Sequence, residues 1–141
     1  MSSTQINPDD LEAAAAAFPA NTPLFMLNLL RFHPQAQYTS TSDGEPCSGQ
    51  DAYLTRYLPA FNTAVQPYGG SELVFAGIVI ARVVGPVDDS WDAVGVARYP
   101  SISSFQHLVN EPGYQTTAEP HRRAALADWR LYATTALGSV R

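Results

Sequence analysis

The sequence predicts an α+β fold, with helices packed on one face of a four-stranded antiparallel sheet. The first observation behind this prediction is the order of the elements: after an N-terminal helix come strand, helix, strand, strand, helix and strand. The second is a turn at residues 85–89, which joins two consecutive strands as a hairpin. This order is the split βαβ, or ferredoxin-like, pattern.

The first helix and the first strand are marked by local signals. Asn7 is a good helix cap, Pro8 suits the first helical position, and acidic residues follow in the first turn. Residues 24–30 form a continuous apolar run of strand length, which only Asn28 interrupts. We therefore expect a helix from residue 8 and a strand at residues 24–30.

A long loop and a second helix follow. Residues 33–49 are rich in Ser, Thr, Pro, Gly and Asp and predict a surface loop. Ser48 with Asp51 resembles a capping box, which begins a helix. The helical spacing is carried by Tyr53, Tyr57, Ala60, Phe61 and Ala64. We expect Pro59 to kink this helix and Gly69–Gly70 to end it.

The longest predicted strand is residues 72–84, and both of its faces are apolar. One face carries Leu73, Phe75, Val79 and Val83, and the other carries Val74, Ala76, Ile78 and Ile80. Residues 91–99 are its predicted hairpin partner. Since the helices of this fold cover only one face of the sheet, we expect a second subunit to cover the other face, in a homodimer.

The last third of the chain predicts helices followed by a strand. Ser101 caps a helix whose apolar face is Ile102, Phe105, Leu108 and Val109. Residues 114–126 are also helical in pattern, but Pro120 leaves open whether they form one helix or two. The final strand is predicted at residues 128–137.

Composition indicates one compact domain, residues 1–141, with an N-terminal helical extension at 1–21 and a ferredoxin-like core at 22–137. Of the 141 residues, 45% are hydrophobic and 15% charged, and the net charge is -5. This acidic balance, without a basic cluster, argues against nucleic acid as a partner. The Ala13–Ala17 run is too short for a membrane span or a signal sequence, so we expect a cytoplasmic protein.

The sequence contains no recognisable metal or cofactor motif. His33, His107 and His121 lack chelating spacing, and Cys47 is the single cysteine. Glycine-rich phosphate loops and the nucleophile elbow of hydrolases are missing as well. We expect no metal and no cofactor.

The candidate catalytic residues are His121 and Asn28. On a helix, His121 and Arg122 flank an apolar stripe formed by Ala118, Ala125 and Leu126. His121 is a candidate general base, or else a structural histidine that hydrogen-bonds a strand. Asn28 is a candidate substrate-orienting amide, or else a satisfied core amide.

Further residues are candidates for substrate binding. Arg122 is a candidate to clamp a carboxylate or phenolate, or else a structural arginine that pairs with one of the acids. Tyr53 and Tyr57 are expected to make core contacts with their hydroxyls at the edge, or else to form the rim of an apolar pocket. The remaining candidates are Arg98, Tyr114 and Trp91.

An ordered set of motifs resembles the DUF1330 family, a family of unknown function. The motifs are residues 25–32, 53–57, 69–70, 91–93, 97–101, Phe105 and 111–114 leading to His121-Arg122. The resemblance covers residues 22–134. It implies a dimeric α+β barrel, in which two ferredoxin-like protomers pack their sheets face to face. The wider superfamily includes cofactor-independent enzymes and haem-binding members.

These observations lead to several hypotheses about function. The leading one is a cofactor-independent enzyme of the oxygenase, isomerase or cyclase type. Its substrate would be a small hydrophobic organic acid, phenol or carbonyl compound that is anionic or becomes so, held in a pocket between sheet and helices. The alternatives are a non-catalytic ligand-binding dimer, a haem-binding protein and a purely structural dimer.

Overall fold

The computed structural model describes residues 3–40 and 44–138. In chain order its elements are α1 (Pro8–Ala17), β1 (Leu24–Phe32), α2 (residues 49–68), β2 (Glu72–Ile78), β3 (Ala93–Tyr99), α3 (Ile102–Val109), α4 (Pro112–Thr117), α5 (Glu119–Ala125) and β4 (Leu126–Thr134). Within the described residues, no helix is long and apolar enough to cross a membrane.

The four strands form one antiparallel sheet in the order β2-β3-β1-β4. β3 lies between β1 and β2, which therefore run in the same direction, as the split βαβ pattern requires. The helices α2 to α5 pack on one face, which we call the inner face. The predicted α+β fold with a four-stranded antiparallel sheet is confirmed.

The N-terminal helix begins where the sequence predicts. The Asn7 side chain accepts hydrogen bonds from the backbone N–H groups of Asp9 at 2.8 Å and Asp10 at 3.2 Å. None of the residues of α1 is fully buried. The segment before it is tied to β4, because the Ser3 N–H donates to Asp128 Oδ1 at 2.8 Å.

The helix α2 changes its winding along its length. Ser48 Oγ accepts from the Asp51 N–H at 3.0 Å, which confirms the predicted cap. The chain is α-helical at Gly49–Asp51, π-helical at Ala52–Tyr57, α-helical again at Leu58–Val65 and ends in a 3₁₀ turn.

Pro59 explains the π-helical segment. A proline has no N–H to donate to the carbonyl four residues earlier, and its ring collides with that carbonyl. The helix widens before Pro59 instead, and the Leu58 N–H bonds to the Tyr53 carbonyl five residues back. At the position where a kink was expected, the helix instead contains a π-helical turn. Gly69 and Gly70, with φ of 95° and 74°, end the helix in a conformation that favours glycine.

The hairpin of β2 and β3 is shorter than the sequence predicts. β2 ends at Ile78 rather than at Val84, and β3 begins at Ala93 rather than at Trp91. Beyond the Val79 N–H to Asp92 carbonyl bond of 2.9 Å, the chain leaves the sheet and forms an arm, residues 80–90. Its aliphatic side chains are 86% to 92% exposed: Ile80, Val83, Val84 and Val87. Their apolar pattern resembles a buried strand, but no strand within residues 3–40 and 44–138 pairs with them.

A β-bulge corrects the predicted faces of β2. Leu73 pairs with Ala97, yet Phe75 pairs with Val96, so Val74 is an extra residue between them. Directly paired residues share a face of the sheet. Leu73 therefore points to the same side of the sheet as Ala76. The regular alternation had predicted these two residues on opposite faces.

The last elements also differ from the prediction in their bounds. Pro120 separates α4 from α5, which settles that residues 114–126 are not one helix. β4 runs from Leu126 to Thr134 rather than over residues 128–137.

The core lies between the inner face and the helices. The outer face of the sheet also carries apolar side chains, and no described element of this chain covers them: Phe25, Leu27, Leu29, Phe75, Val94 and Val96. Phe75 is 57% exposed.

Gly49 offers a test of how tightly the loop before α2 packs. A Cβ at this position would lie 2.6 Å from the Ala125 carbonyl oxygen and closer still to that of His33. We expect Gly49→Ala to lower the free energy of unfolding by about 3 kcal/mol, because backbone atoms cannot yield as side chains do. Gly95→Ala is the control, since a Cβ there meets nothing within 4 Å. Urea denaturation of both variants measures this, and equal stability would contradict the packing.

Candidate functional site

A cavity of about 440 Å³ lies between the inner face of the sheet and the helices. Its size suits a small organic ligand. The side chains that matter for its chemistry are Asn28, Tyr53, Tyr57, Tyr99, Tyr114 and Trp129. The lining on β2 includes Leu73 and Ile78, which are 60% and 58% exposed, so the cavity opens at that edge of the sheet. We call this space the central cavity.

Small residues of β3 form the floor of the central cavity. Ala93, Gly95 and Ala97 alternate along the strand and point to the inner face. Opposite them stand the large rings of α2. The space exists because three successive inward positions of a strand carry little or no side chain.

The π-helical turn places Tyr53 and Tyr57 together at the cavity. A π-helix has more residues per turn than an α-helix, so residues four apart lie more nearly above one another. The two ring centroids are 4.9 Å apart. Two phenol groups therefore reach the cavity from one helix face.

A buried hydrogen-bond chain connects the cavity to Arg122. Arg122 Nη1 donates to the Tyr114 hydroxyl at 2.9 Å, and the Tyr114 and Tyr57 hydroxyls are 2.9 Å apart. An arginine always donates, so the Tyr114 oxygen accepts. When Tyr114 in turn donates to Tyr57, the Tyr57 proton is left for a group in the cavity. We call this series the phenol chain.

Arg122 is buried without a carboxylate partner among residues 3–40 and 44–138. It is 2% exposed, and its guanidinium carbon lies 4.8 Å from the centre of the Trp129 ring. Within the described part of the chain, its Nε has no hydrogen-bond partner. A buried cation of this kind strengthens the donors that it contacts, here Tyr114 and, through it, Tyr57.

Arg122 acts on the central cavity at a distance, because Tyr114 stands between them. Two hydrogen bonds of 2.9 Å and a third to a ligand place a ligand oxygen at most about 9 Å from the guanidinium. At an effective dielectric constant of about 20, this attracts a full negative charge by about 2 kcal/mol. Removing a carboxylate from water costs several kcal/mol, which is more than that attraction returns.

The phenols of the central cavity stay protonated at neutral pH. Burial raises the pKa of Tyr57 well above its ordinary value, and burial likewise raises the pKa of Tyr53 and of Tyr99. Arg122 partly opposes the increase in the pKa of Tyr53 and of Tyr57. These side chains are therefore hydrogen-bond donors and poor bases.

Asn28 lines the cavity from β1 and is held by its neighbours. Its Oδ1 accepts from Trp129 Nε1 at 3.0 Å, and its Nδ2 lies 3.4 Å from the carbonyl oxygens of Met26 and Gly95. The geometry of a satisfied core amide is present, and the same side chain borders the cavity.

His121 lies outside the lining of the central cavity. Its Nδ1 is 2.7 Å from the hydroxyl of Tyr38, which belongs to the loop before α2, and the two rings meet edge to face. Arg56 lies over the Tyr38 ring at 5.5 Å. His121 thus has the polar partner expected of it, but from the loop rather than from the sheet, and the structure does not bring it to Asn28.

Arg98 and Trp91 also lie away from the central cavity. Arg98 pairs with Phe25, on the outer face of the sheet, and is exposed. Trp91 packs against the guanidinium groups of Arg31 and Arg130, whose carbons are 5.2 Å and 5.0 Å from its ring centre. The structure therefore brings together Tyr53, Tyr57, Tyr114, Asn28 and, behind them, Arg122.

Sequence reasoning missed two aromatic residues of this site. Trp129 contacts both Arg122 and Asn28, and Tyr99 lines the cavity from β3. Both face inward by strand alternation, with Leu131 and Ala97 respectively. The signal available in the sequence was an aromatic residue at an inward-facing position of a strand.

No metal site is formed by the described residues: no group of three His, Cys, Asp or Glu side chains comes together.

The fold and site define a ferredoxin-like α+β protein with an aromatic cavity between sheet and helices. The chain is similar to the RPA0582 protein of Rhodopseudomonas palustris, a structural genomics target of unknown function. The identity is 28% and the TM-score 0.82, over 97% of this chain and 98% of the other. The chain is also similar to the methylated RPA0582 protein, with 29% identity and a TM-score of 0.78 over 99% of this chain and 98% of the other. No family model and no curated protein matches the chain.

The buried tyrosines predict a loss of stability in alkali. Tyr53, Tyr57 and Tyr99 hold their protons in the folded state above the ordinary pKa of 10.0, whereas the unfolded chain releases them there. Their stabilising contribution is thus complete below pH 10 and is lost as the pH rises further. We expect the free energy of unfolding to fall by up to about 1.4 kcal/mol per pH unit for each of the three.

Urea denaturation at a series of pH values, with tyrosinate absorbance recorded on the folded protein, measures this loss. Tyr99→Phe is expected to reduce the slope. Ionisation of all seven tyrosines in the folded protein would contradict the burial.

Proposed function

We propose that this protein binds a small hydrophobic molecule in the central cavity and polarises one of its oxygen atoms, as a cofactor-independent enzyme of the isomerase, cyclase or oxygenase type. The ligand carries a carbonyl, phenol or acid oxygen that takes on negative charge. We also propose that the chain is related to the DUF1330 family and is cytoplasmic.

The phenol chain is the observation that carries this proposal. A hydrogen bond to a ligand oxygen strengthens as negative charge develops on that oxygen. Tyr57 is placed to donate such a bond, and Tyr114 and the Arg122 cation stand behind it. The walls of the cavity are largely apolar, so that a bound ligand displaces water and the bond acts in a medium of lower dielectric constant.

The alternative is a non-catalytic dimer that binds the same kind of molecule. The position of His121 favours it, because the predicted base lies outside the cavity and the phenols are poor bases. The enzyme hypothesis is favoured by the strengthening of Tyr57 through Arg122, which simple binding does not need. A haem-binding function gains no support, since no histidine is among the described residues that line the cavity.

The homodimer is proposed from the outer face of the sheet. Its apolar side chains are half-buried in the single chain or, at Phe75, exposed, and the arm at residues 80–90 adds four exposed aliphatic residues. A two-fold pairing of sheets would remove both from water, with the hydrophobic effect as the driving force.

Tyr57→Phe tests the proposed recognition of oxygen. With 2-tetralone as the probe, we expect binding to the wild type, binding about 3- to 10-fold weaker in Tyr57→Phe, and weaker binding in Arg122→Met. Calorimetry measures the affinity. The controls are Tyr68→Phe and Arg123→Met, since Tyr68 bonds to Glu111 and Arg123 pairs with Glu119, away from the cavity.

Exchange of the tetralone α-hydrogens with deuterated water, followed by NMR, separates the two candidate functions. An enzyme is expected to raise the exchange rate above that of 2-tetralone in buffer alone, with solvent taking the proton as the enolate forms and returning a deuteron, and Tyr57→Phe is expected to slow this exchange. Binding with exchange no faster than in buffer selects the non-catalytic dimer. Equal affinity in the wild type and Tyr57→Phe would overturn the role of the phenol chain.

The outer face predicts the oligomeric state. Light scattering of the wild type is expected to give twice the mass of the chain. Val96→Asp and Leu27→Asp each place a charge on the outer face and are expected to give a monomer, because a buried unpaired carboxylate is costly. Ser103→Asp, at an exposed position of α3, is expected to stay dimeric. A monomeric wild type at micromolar concentration would refute the dimer.

A further inference from the structure

We infer that the central cavity takes a neutral molecule with one hydrogen-bond-accepting oxygen, a ketone or a phenol, and discriminates against carboxylic acids in their ionised form. This inference rests on the proposed function and names its substrate class. It starts from the charge of the lining.

None of the described residues that line the central cavity is charged. The lining is formed by aliphatic and aromatic side chains with phenols, amides and a serine among them. The nearest cation, Arg122, is separated from the cavity by Tyr114, to which it donates its hydrogen bond. A carboxylate in the cavity would therefore have no direct ionic partner, and burying it would be unfavourable.

The available donors match one oxygen better than two. Asn28 already uses its carbonyl oxygen for Trp129 and directs its amide nitrogen to two carbonyl groups of the sheet. The remaining donors are the phenols of Tyr53 and Tyr57, whose ring centroids are 4.9 Å apart on α2, and that of Tyr99 on β3. A single ketone or phenol oxygen needs one or two of these donors, whereas a carboxylate has about four acceptor sites and would leave part of its acceptor capacity unmet.

The net charge of the whole chain also disfavours the binding of an anion. With 13 acidic and 8 basic residues, the protein has a net charge of -5. This field lowers the local concentration of anions at long range and leaves neutral molecules unaffected.

A matched series of naphthalene probes tests the inference on the full chain. The probes are 2-acetonaphthone, 2-naphthol, methyl 2-naphthoate, 2-naphthoate and naphthalene, and calorimetry at neutral pH measures their affinities. We expect the ketone, the phenol and the ester to bind, and the naphthoate anion to bind at least 10-fold more weakly than the ketone. Naphthalene, which has no oxygen, is expected to bind more weakly than the ketone.

A cation added to the lining is expected to reverse the preference. Asn62 lines the cavity near its mouth, so Asn62→Arg is expected to tighten naphthoate binding at least 5-fold, in a salt-dependent manner, and to leave the ketone little changed. Thr63→Arg is the matched control, because Thr63 is the next residue of α2 and does not line the cavity.

The outcomes separate the inference from the proposed function. Naphthoate binding as tight as that of the ketone overturns the inference and leaves the proposed function standing. Naphthalene binding as tight as that of the ketone also overturns it, since the oxygen is then not recognised. If none of the five probes binds, the proposed function fails, and this inference fails with it.

Discussion

The buried guanidinium of Arg122 constrains much of the helical layer. A cation that is 2% exposed must find compensation inside the protein, and it finds it in the Tyr114 hydroxyl and the face of Trp129. These contacts join α5, α4 and β4. Tyr114 then fixes the hydroxyl of Tyr57 on α2. The hydrogen bonds that keep the charge tolerable are the same ones that orient the polar end of the cavity.

The cavity itself depends on two irregularities of the backbone. The π-helical turn before Pro59 brings Tyr53 and Tyr57 together, and the bulge at Val74 turns Leu73 toward the helices. A regular helix and a regular strand would have given different faces to these residues. Departures from regular geometry therefore determine which side chains meet around the ligand space.

The sequence predicts the order of the elements, most of their caps and the packing of helices on the sheet. Asn7, Ser48 and Ser101 all cap as expected, because capping is decided within a few residues. The bulge at Val74 and the end of β2 were not predictable, since both depend on which strand lies alongside. Alternation of apolar residues cannot distinguish a paired strand from the exposed arm at residues 80–90.

Only part of the candidate site was predictable from the sequence, because helical spacing and short motifs are local signals whereas contacts with loops are not. Tyr53, Tyr57, Tyr114 and Arg122 carry helical or motif signals, and the fold brings them together. The partner of His121 is Tyr38, in a loop whose course no periodicity describes, so this partner was not predictable from the sequence. Arg98 belongs to the outer face, which the strand register decides, and Trp91 lies before β3 and packs against Arg31 and Arg130.

The small residues of β3 that form the floor of the central cavity determine how large a ligand it can hold. At Gly95 an added methyl group meets no protein atom within 4 Å, so any side chain there occupies space that a ligand would otherwise fill. Ala93 and Ala97 extend the same row. Single substitutions on this strand would therefore change the preferred ligand from a large molecule to a small one. The phenol chain on the opposite wall would stay intact. Size selection and oxygen recognition are free to evolve independently.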